Sequence, residues 1–141
     1  DKFGFKRADF TKVSLGSEKS VKWERKVSTV KLLDRLKKKG FMILAVEQDR
    51  RSIPYYSFKR LLASLSRRSG LRRSAPRNDD GEIDKICLVL GNEVNGLPKS
   101  VLDRADKILE IPMKGSKESL NVAIAFGIVV YHLMYGYMES A

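Results

Sequence analysis

Two short stretches hold the side chains best suited to chemistry. Leu88 to Leu97 reads LVLGNEVNGL, an apolar run that closes on Gly91 and is followed by Asn92, Glu93 and Asn95. Carboxylate and carboxamide groups hydrogen-bond hydroxyls, and a glycine lets a ligand approach the main chain. Ile111 to Asn121 reads IPMKGSKESLN, with hydroxyls at Ser116 and Ser119 and a helix expected to open at about Ser119. Amide donors at such a helix start can hold a polar ligand or a phosphate. Each stretch taken alone is also what an ordinary turn or a serine N-cap looks like. Gly91 and Ile111 stand twenty residues apart, and two loops of this composition at strand ends point to one shared site.

The elements that must position these loops follow from periodicity. Phe41 to Val46 and Ile86 to Leu90 are continuous apolar runs of strand length, as strands covered on both faces require. Lys107 to Ile111 alternates and predicts a third strand; Lys12 to Leu15 is a further short candidate. Ser28 to Lys39 carries Val30, Leu32, Leu33 and Leu36 on one stripe, with Ser28 as N-cap and Gly40 as the stop behind three lysines. Pro98 suits the start of a short helix through about Ala105. Strand and helix alternating in this order predict an α/β fold with a mostly parallel sheet flanked by helices. In such a sheet the carboxyl ends of the strands are where ligands bind.

The chain has 141 residues, 43% of them hydrophobic, enough for one domain with a real core. Its 28 Lys+Arg against 17 Asp+Glu leave a net charge of +11. A surplus of that size favours a polyanionic partner, nucleic acid or an anionic membrane surface, without choosing between them. One cysteine, Cys87, excludes an internal disulfide framework and a cysteine-rich zinc site, and a reducing cytoplasm is the expected compartment. Leu120 to Tyr137 is apolar almost all round, yet Asn121, His132 and two glycines interrupt it. It reads as a helix buried between the sheet and a partner subunit rather than as a membrane span. Ser64 to Asp80, with five arginines and few apolar residues, reads as a flexible basic insertion.

LVLGNEVNGLP followed by ILEIPMKGSKESLNVAIAFGIVVY resembles the second and third motifs of the SpoU/TrmH-type RNA ribose 2′-O-methyltransferases, in the SPOUT superfamily. The resemblance covers Lys85 to Tyr137 and, more weakly, Phe3 to Phe58 through FGF near the start and AVEQ at Ala45 to Gln48. It implies a C-terminal trefoil knot whose loops hold S-adenosylmethionine. The implied cofactor contacts are Gly91, Ile111 and Leu120, largely through backbone groups, with Met113, Val46 and Glu47 lining the pocket. Glu93, Ser119 and Asn121 match the positions that shape the catalytic and ribose-binding side. The family acts as a homodimer through the knot's last helix, which accounts for Leu120 to Tyr137 without a bilayer. Methyl transfer from a sulfonium to a ribose oxygen needs alignment and help with a poorly acidic proton, not a metal or a covalent nucleophile. Cys87 is therefore expected to be a buried thiol, and His132 a residue of the core or the dimer interface.

The family's first motif, an Asn followed by an Arg that helps activate the ribose hydroxyl, lies just before FGF, which here occupies residues 3 to 5. The chain is therefore expected to lack that motif and the first strand, and two readings compete. One is a methyltransferase domain of a longer enzyme, impaired in this form; the other is a non-catalytic RNA-binding module. Either would take tRNA or ribosomal RNA. The residues expected to meet it are Arg50, Arg51, Lys59 and Arg60, which flank Tyr55 and Tyr56: cations for phosphates, aromatics for unpaired bases.

Overall fold

The computed structural model describes residues 20–58, 85–92, 94–115 and 119–135. The candidate strand Lys12–Leu15, the FGF segment, Glu93, Lys59, Arg60, Ser116 and the insertion over 64–80 lie outside the described residues.

Helix α1 (Thr29–Lys38) begins where the sequence places it, with the Ser28 hydroxyl accepting the Lys31 N–H. Its end is a glycine cap: Gly40 adopts φ 81°, Gly40 N–H bonds to the Lys37 carbonyl and Phe41 N–H to that of Leu36. The chain then reverses into strand β1 (Met42–Val46). Strands β2 (Ile53–Pro54), β3 (Ile86–Leu90) and β4 (Lys107–Glu110) complete one sheet in the order β2-β4-β1-β3, every neighbour parallel. A 3₁₀ turn (Tyr55–Ser57) follows β2, a short helix α2 (Lys99–Leu102) lies between β3 and β4, and helix α3 (Val122–Tyr135) ends the described chain.

Successive strand residues point to opposite faces, and both faces here are apolar. On one, Leu33 of α1 and Val101 of α2 pack on Ile43 and Val89; beside them Ala45, Leu102 and Ile108 form a second group. On the other face, Leu44 and Leu109 meet Phe58 and Val129 of α3. Burying a side chain such as Leu44 contributes roughly 1.5–3 kcal/mol, and the inner strands β1 and β4 carry most of these contacts. Strand β4 was expected to alternate between core and solvent. Ile108 and Leu109 are both buried instead, because β4 lies between β1 and β2 with helices on both sides.

Asp106 fixes the start of β4. Its carboxylate accepts the Ile43 N–H at 2.7 Å and pairs with Lys37 at 2.9 Å, while its own N–H bonds to the Ile43 carbonyl. Helix α3 starts later than expected, at Val122, and Asn121 caps it: its Oδ1 accepts the Ala123 N–H at 2.9 Å. Among the described residues no helix is long and apolar enough to cross a membrane.

Candidate active site

A cleft of about 550 Å³ opens at the carboxyl ends of β1, β3 and β4. The order of the strands puts it there. Strand β1 lies between β3 and β4, so the segments leaving the three strands diverge around its end. Val46, Glu47 and Gln48 come from the end of β1, Gly91 and the loop to Leu97 from the end of β3, and Ile111 and Met113 from the end of β4. Ser119, Leu120, Val122 and Ala125 close it from the approach to α3 and its first turns.

The loop after β3 is a tight hairpin built by Asn92. Its side-chain oxygen accepts the N–H groups of Val94 and Asn95 at 3.0 and 2.7 Å, and its carbonyl accepts the Gly96 N–H at 3.0 Å. Two glycines let this hairpin lie flat. A Cβ on Gly91 would stand 2.5 Å from the Gly96 carbonyl carbon, and Gly96 itself has φ +60°. The sequence suggested that Gly91 is a glycine so that a ligand can approach the backbone; the hairpin's own backbone takes that space first.

Glu47 is the one ionisable side chain among the described residues that line the cleft. One carboxylate oxygen accepts the Leu97 N–H at 2.7 Å and the other its neighbour's N–H, from Gln48, at 3.0 Å. A Cβ on Gly96 would lie 2.5 Å from that first oxygen, so the glycine gives the carboxylate room to reach the loop.

All six positions expected from the sequence to surround a cofactor, Val46, Glu47, Gly91, Ile111, Met113 and Leu120, line this one cleft. Ser119 joins them, with its side of the cleft formed by segment 119–122. Asn121, expected beside Ser119 as a catalytic group, does not line the cleft, because its side-chain oxygen is spent on the α3 cap. Gln48, Val94, Asn95 and Gly96 belong to the lining and were not singled out as cofactor positions. The spacing of Asn92 and Gly96 around a two-carboxamide turn is the sequence signal that marks the hairpin.

The basic residues beyond the cleft divide. Arg51 bridges Asp49 and Asp103, at 2.8 and 3.0 Å, with Lys99 completing the cluster at 2.6 Å from Asp103. These hydrogen bonds raise the Arg51 pKa and hold the Asp49 and Asp103 carboxyls below their ordinary range. Arg51, expected to meet RNA, is thus turned to the protein's own carboxylates. Arg50 makes no ion pair among the described residues. Tyr55, expected to stack on a base, is instead half-buried, its ring set edge-on to Tyr56 and to His132 at 5.4 and 5.2 Å; Tyr56 remains exposed. Cys87, expected to be a buried thiol, is half-buried under the α1 face, where desolvation pushes its thiol pKa up.

Mixed apolar walls, main-chain polar groups and one hydroxyl suit a small ligand with a flat apolar part and polar ends, at a volume typical of such sites. The chain is 30% identical over 122 residues to the tRNA (guanosine(18)-2′-O)-methyltransferase of Aquifex aeolicus, covering 84% of this chain and 46% of that protein. Against the 23S rRNA (guanosine(2553)-2′-O)-methyltransferase RlmP of Bacillus subtilis it is 38% identical over 65 residues, 46% of this chain and 26% of that one. The crystal structure of the Aquifex aeolicus TrmH/SpoU tRNA modifying enzyme superposes with a TM-score of 0.63 at 28% identity, over 86% of this chain and 50% of that chain. The chain thus spans half or less of the length of these relatives. The sequence pattern of the SpoU rRNA methylase family matches residues 1–131, and the chain belongs to that family.

Proposed function

We propose that this domain transfers a methyl group from S-adenosylmethionine to a ribose 2′-hydroxyl of tRNA or ribosomal RNA. The observation that carries the reading is the convergence of the ends of β1, β3 and β4 and the start of α3 on one cleft, lined by the residues the family resemblance selects. Nothing in the relatives favours a non-catalytic RNA-binding module; those named above are methyltransferases.

The residues present fit the cofactor. Gly91, Ile111 and Leu120 offer main-chain groups for its polar ends, Val46 and Met113 offer apolar walls, and Glu47 holds the loop that forms one side. When bound, S-adenosylmethionine supplies an electrophilic methyl on a positively charged sulfur. The chain's part is to hold donor and ribose in line and to assist loss of a proton that a sugar hydroxyl gives up reluctantly. Ser119 is the hydroxyl placed in the cleft to orient the sugar, and Asn121 positions it by fixing where α3 begins. Glu93, in the same motif as Gly91, is the carboxylate assigned to the ribose side.

The reading extends to assembly and fold. The C-terminal segment is threaded as the family's trefoil knot, and the domain is a homodimer through α3. Ile124, Phe126, Tyr131, Met134 and Tyr135 of that helix are all half or more exposed on the single chain, an apolar surface that a second copy would cover. The compartment proposed for it is the cytoplasm, in keeping with its single cysteine.

Calorimetric titration with S-adenosylmethionine tests the site. The wild-type protein is expected to bind, and Gly91→Trp, which fills the hairpin, to lose binding, with circular dichroism of the variant checking that the rest of the domain still folds. Undiminished binding by Gly91→Trp, or none by the wild type, overturns the assignment. Transfer of labelled methyl to tRNA or rRNA, followed by nuclease mapping, tests the ribose 2′ position.

A further inference from the structure

Between residues 20 and 39 the chain carries eight basic and two acidic side chains and its only tryptophan. The helix α1 in this stretch sorts its charges by face. Asp34 is turned to Arg104 at 2.8 Å and Lys37 to Asp106 at 2.9 Å, and these pairs join the helix to the rest of the fold. Lys31, Arg35 and Lys38 stand four and three residues apart, so they share one face; all three are exposed and none forms an ion pair among the described residues. Like charges one turn apart destabilise a helix, so this stripe is kept at a cost to local stability.

The preceding segment leads directly into this helix, which Ser28 caps. Within it Glu24 pairs with Lys26. Trp23, next to Glu24 and between Lys22 and Arg25, is 61% exposed. An indole so exposed is a cost in water and a platform for a flat ring. Because α1 reverses into β1 at Gly40 and packs on it through Leu33 and Ile43, it runs antiparallel to the strand. Its N-terminal end therefore lies toward the end of the sheet that carries the cleft, and the tryptophan segment joins the fold there.

We infer that Trp23 with Lys31, Arg35 and Lys38 forms the face on which single-stranded RNA docks, the indole stacking on an unpaired base and the three cations following the phosphates away from the cleft. This rests on the methyltransferase reading and names the surface that delivers its substrate. Arg50 and the 64–80 insertion are not needed for it.

Trp23 being the sole tryptophan, its emission reports on this face directly. Wild-type protein titrated with tRNA and with an rRNA fragment is expected to show quenching that saturates with binding. The variant Lys31→Gln/Arg35→Gln/Lys38→Gln keeps helix-forming side chains. It is expected to bind at least tenfold more weakly near 0.1 M salt, and to lower the slope of log affinity against log salt by about 2, the release expected for three phosphates. Trp23→Ala, followed by anisotropy of labelled RNA, is expected to lose about tenfold in affinity with the salt slope unchanged. S-adenosylmethionine affinity should be the same in all three proteins. RNA binding with unquenched Trp23 and an unaltered slope in the triple variant overturns the docking face while leaving the methyltransferase reading in place. A wild-type protein that binds neither cofactor nor RNA overturns the reading beneath it. Emission that changes with protein concentration rather than with RNA assigns the face to a second copy of this chain and overturns the proposal.

Discussion

The Glu47 carboxylate at the end of β1 accepts the backbone N–H of Leu97 at 2.7 Å, tying the hairpin after β3 to the strand beside it. A hydrogen bond to a charged acceptor is worth about 1.5–3 kcal/mol, and here it fixes a loop that forms one side of the cleft. Glu47→Ala should raise the dissociation constant for S-adenosylmethionine about tenfold and speed hydrogen exchange at the Leu97 amide. Glu47→Gln keeps an oxygen able to accept the same N–H and should stay within about threefold of wild type. A carboxylate that instead paired with the cofactor's positive charge would make the two variants equally weak, with Leu97 exchange unmoved. Gly96→Ala should imitate Glu47→Ala, since its Cβ would strike that carboxylate and its φ of +60° disfavours alanine.

Asn121 gives a second separation of roles. As N-cap of α3 it should contribute about 1 kcal/mol, so Asn121→Ala is expected to lower the thermal midpoint by a few degrees. Asn121→Asp retains the cap and adds a charge that the positive helix end favours; its stability should equal or exceed wild type. If the residue works only by positioning Ser119, methyl transfer by Asn121→Asp will be close to wild type. A large drop in turnover for the stable Asp variant would return Asn121 to the reacting groups. Ser119→Ala, by contrast, should leave stability unchanged and reduce turnover.

The Asp49–Arg51–Asp103–Lys99 cluster makes stability depend on acidity in a set direction. Asp49 is held low first by its hydrogen bond from Arg51, and Asp103 by those from Lys99 and Arg51. A carboxyl whose pKa is lower folded than unfolded stabilises the fold fully above its ordinary value, near 3.8, and loses that contribution as pH falls through the folded value. Wild type should therefore exceed Asp103→Asn in thermal midpoint at neutral pH. The gap should close between about pH 5 and pH 2. Because the groups are exposed it should also shrink in about 1 M salt. A gap independent of pH would mean that the pair contributes nothing through charge.

How much of this was legible in the sequence depends on the range of the interactions. Strands β1 and β3 were readable because both faces of each are covered, which forces an unbroken apolar run. Strand β2 was not, since two residues that include Pro54 leave no period. The lining positions were readable because they sit at strand ends, where parallel sheets bind ligands. The start of α3 was misplaced because Ser119 and Asn121 are both good caps and only the fold chooses between them. Arg51 was assigned to RNA because a charge run does not show its own partners; Asp103, its second acid, is 52 residues away. The Glu47–Leu97 contact joins residues 50 apart, and no local pattern announces it.

Helix α3 supplies the last expectation. Its sheet side buries Ala125 and Val129, while Ile124, Phe126, Tyr131, Met134 and Tyr135 face outward, the rings of Tyr131 and Tyr135 only 5.0 Å apart. By helical spacing Ile124, Tyr131, Met134 and Tyr135 share one face, and aromatic and apolar residues so grouped are the composition of an interface centre, where truncating a hot-spot residue costs about 2 kcal/mol or more, close to thirtyfold in affinity. Tyr131→Glu places a charge at that centre but, being 69% exposed on the single chain, should not disturb the fold of one protomer. Sedimentation of the wild type at micromolar concentration is expected to give a dimer and of Tyr131→Glu a monomer. The thermal midpoint should rise with protein concentration for the former alone, because association stabilises only the folded state. A wild-type protein that stays monomeric at every concentration, with the same midpoint as the variant, would leave the face to some other partner.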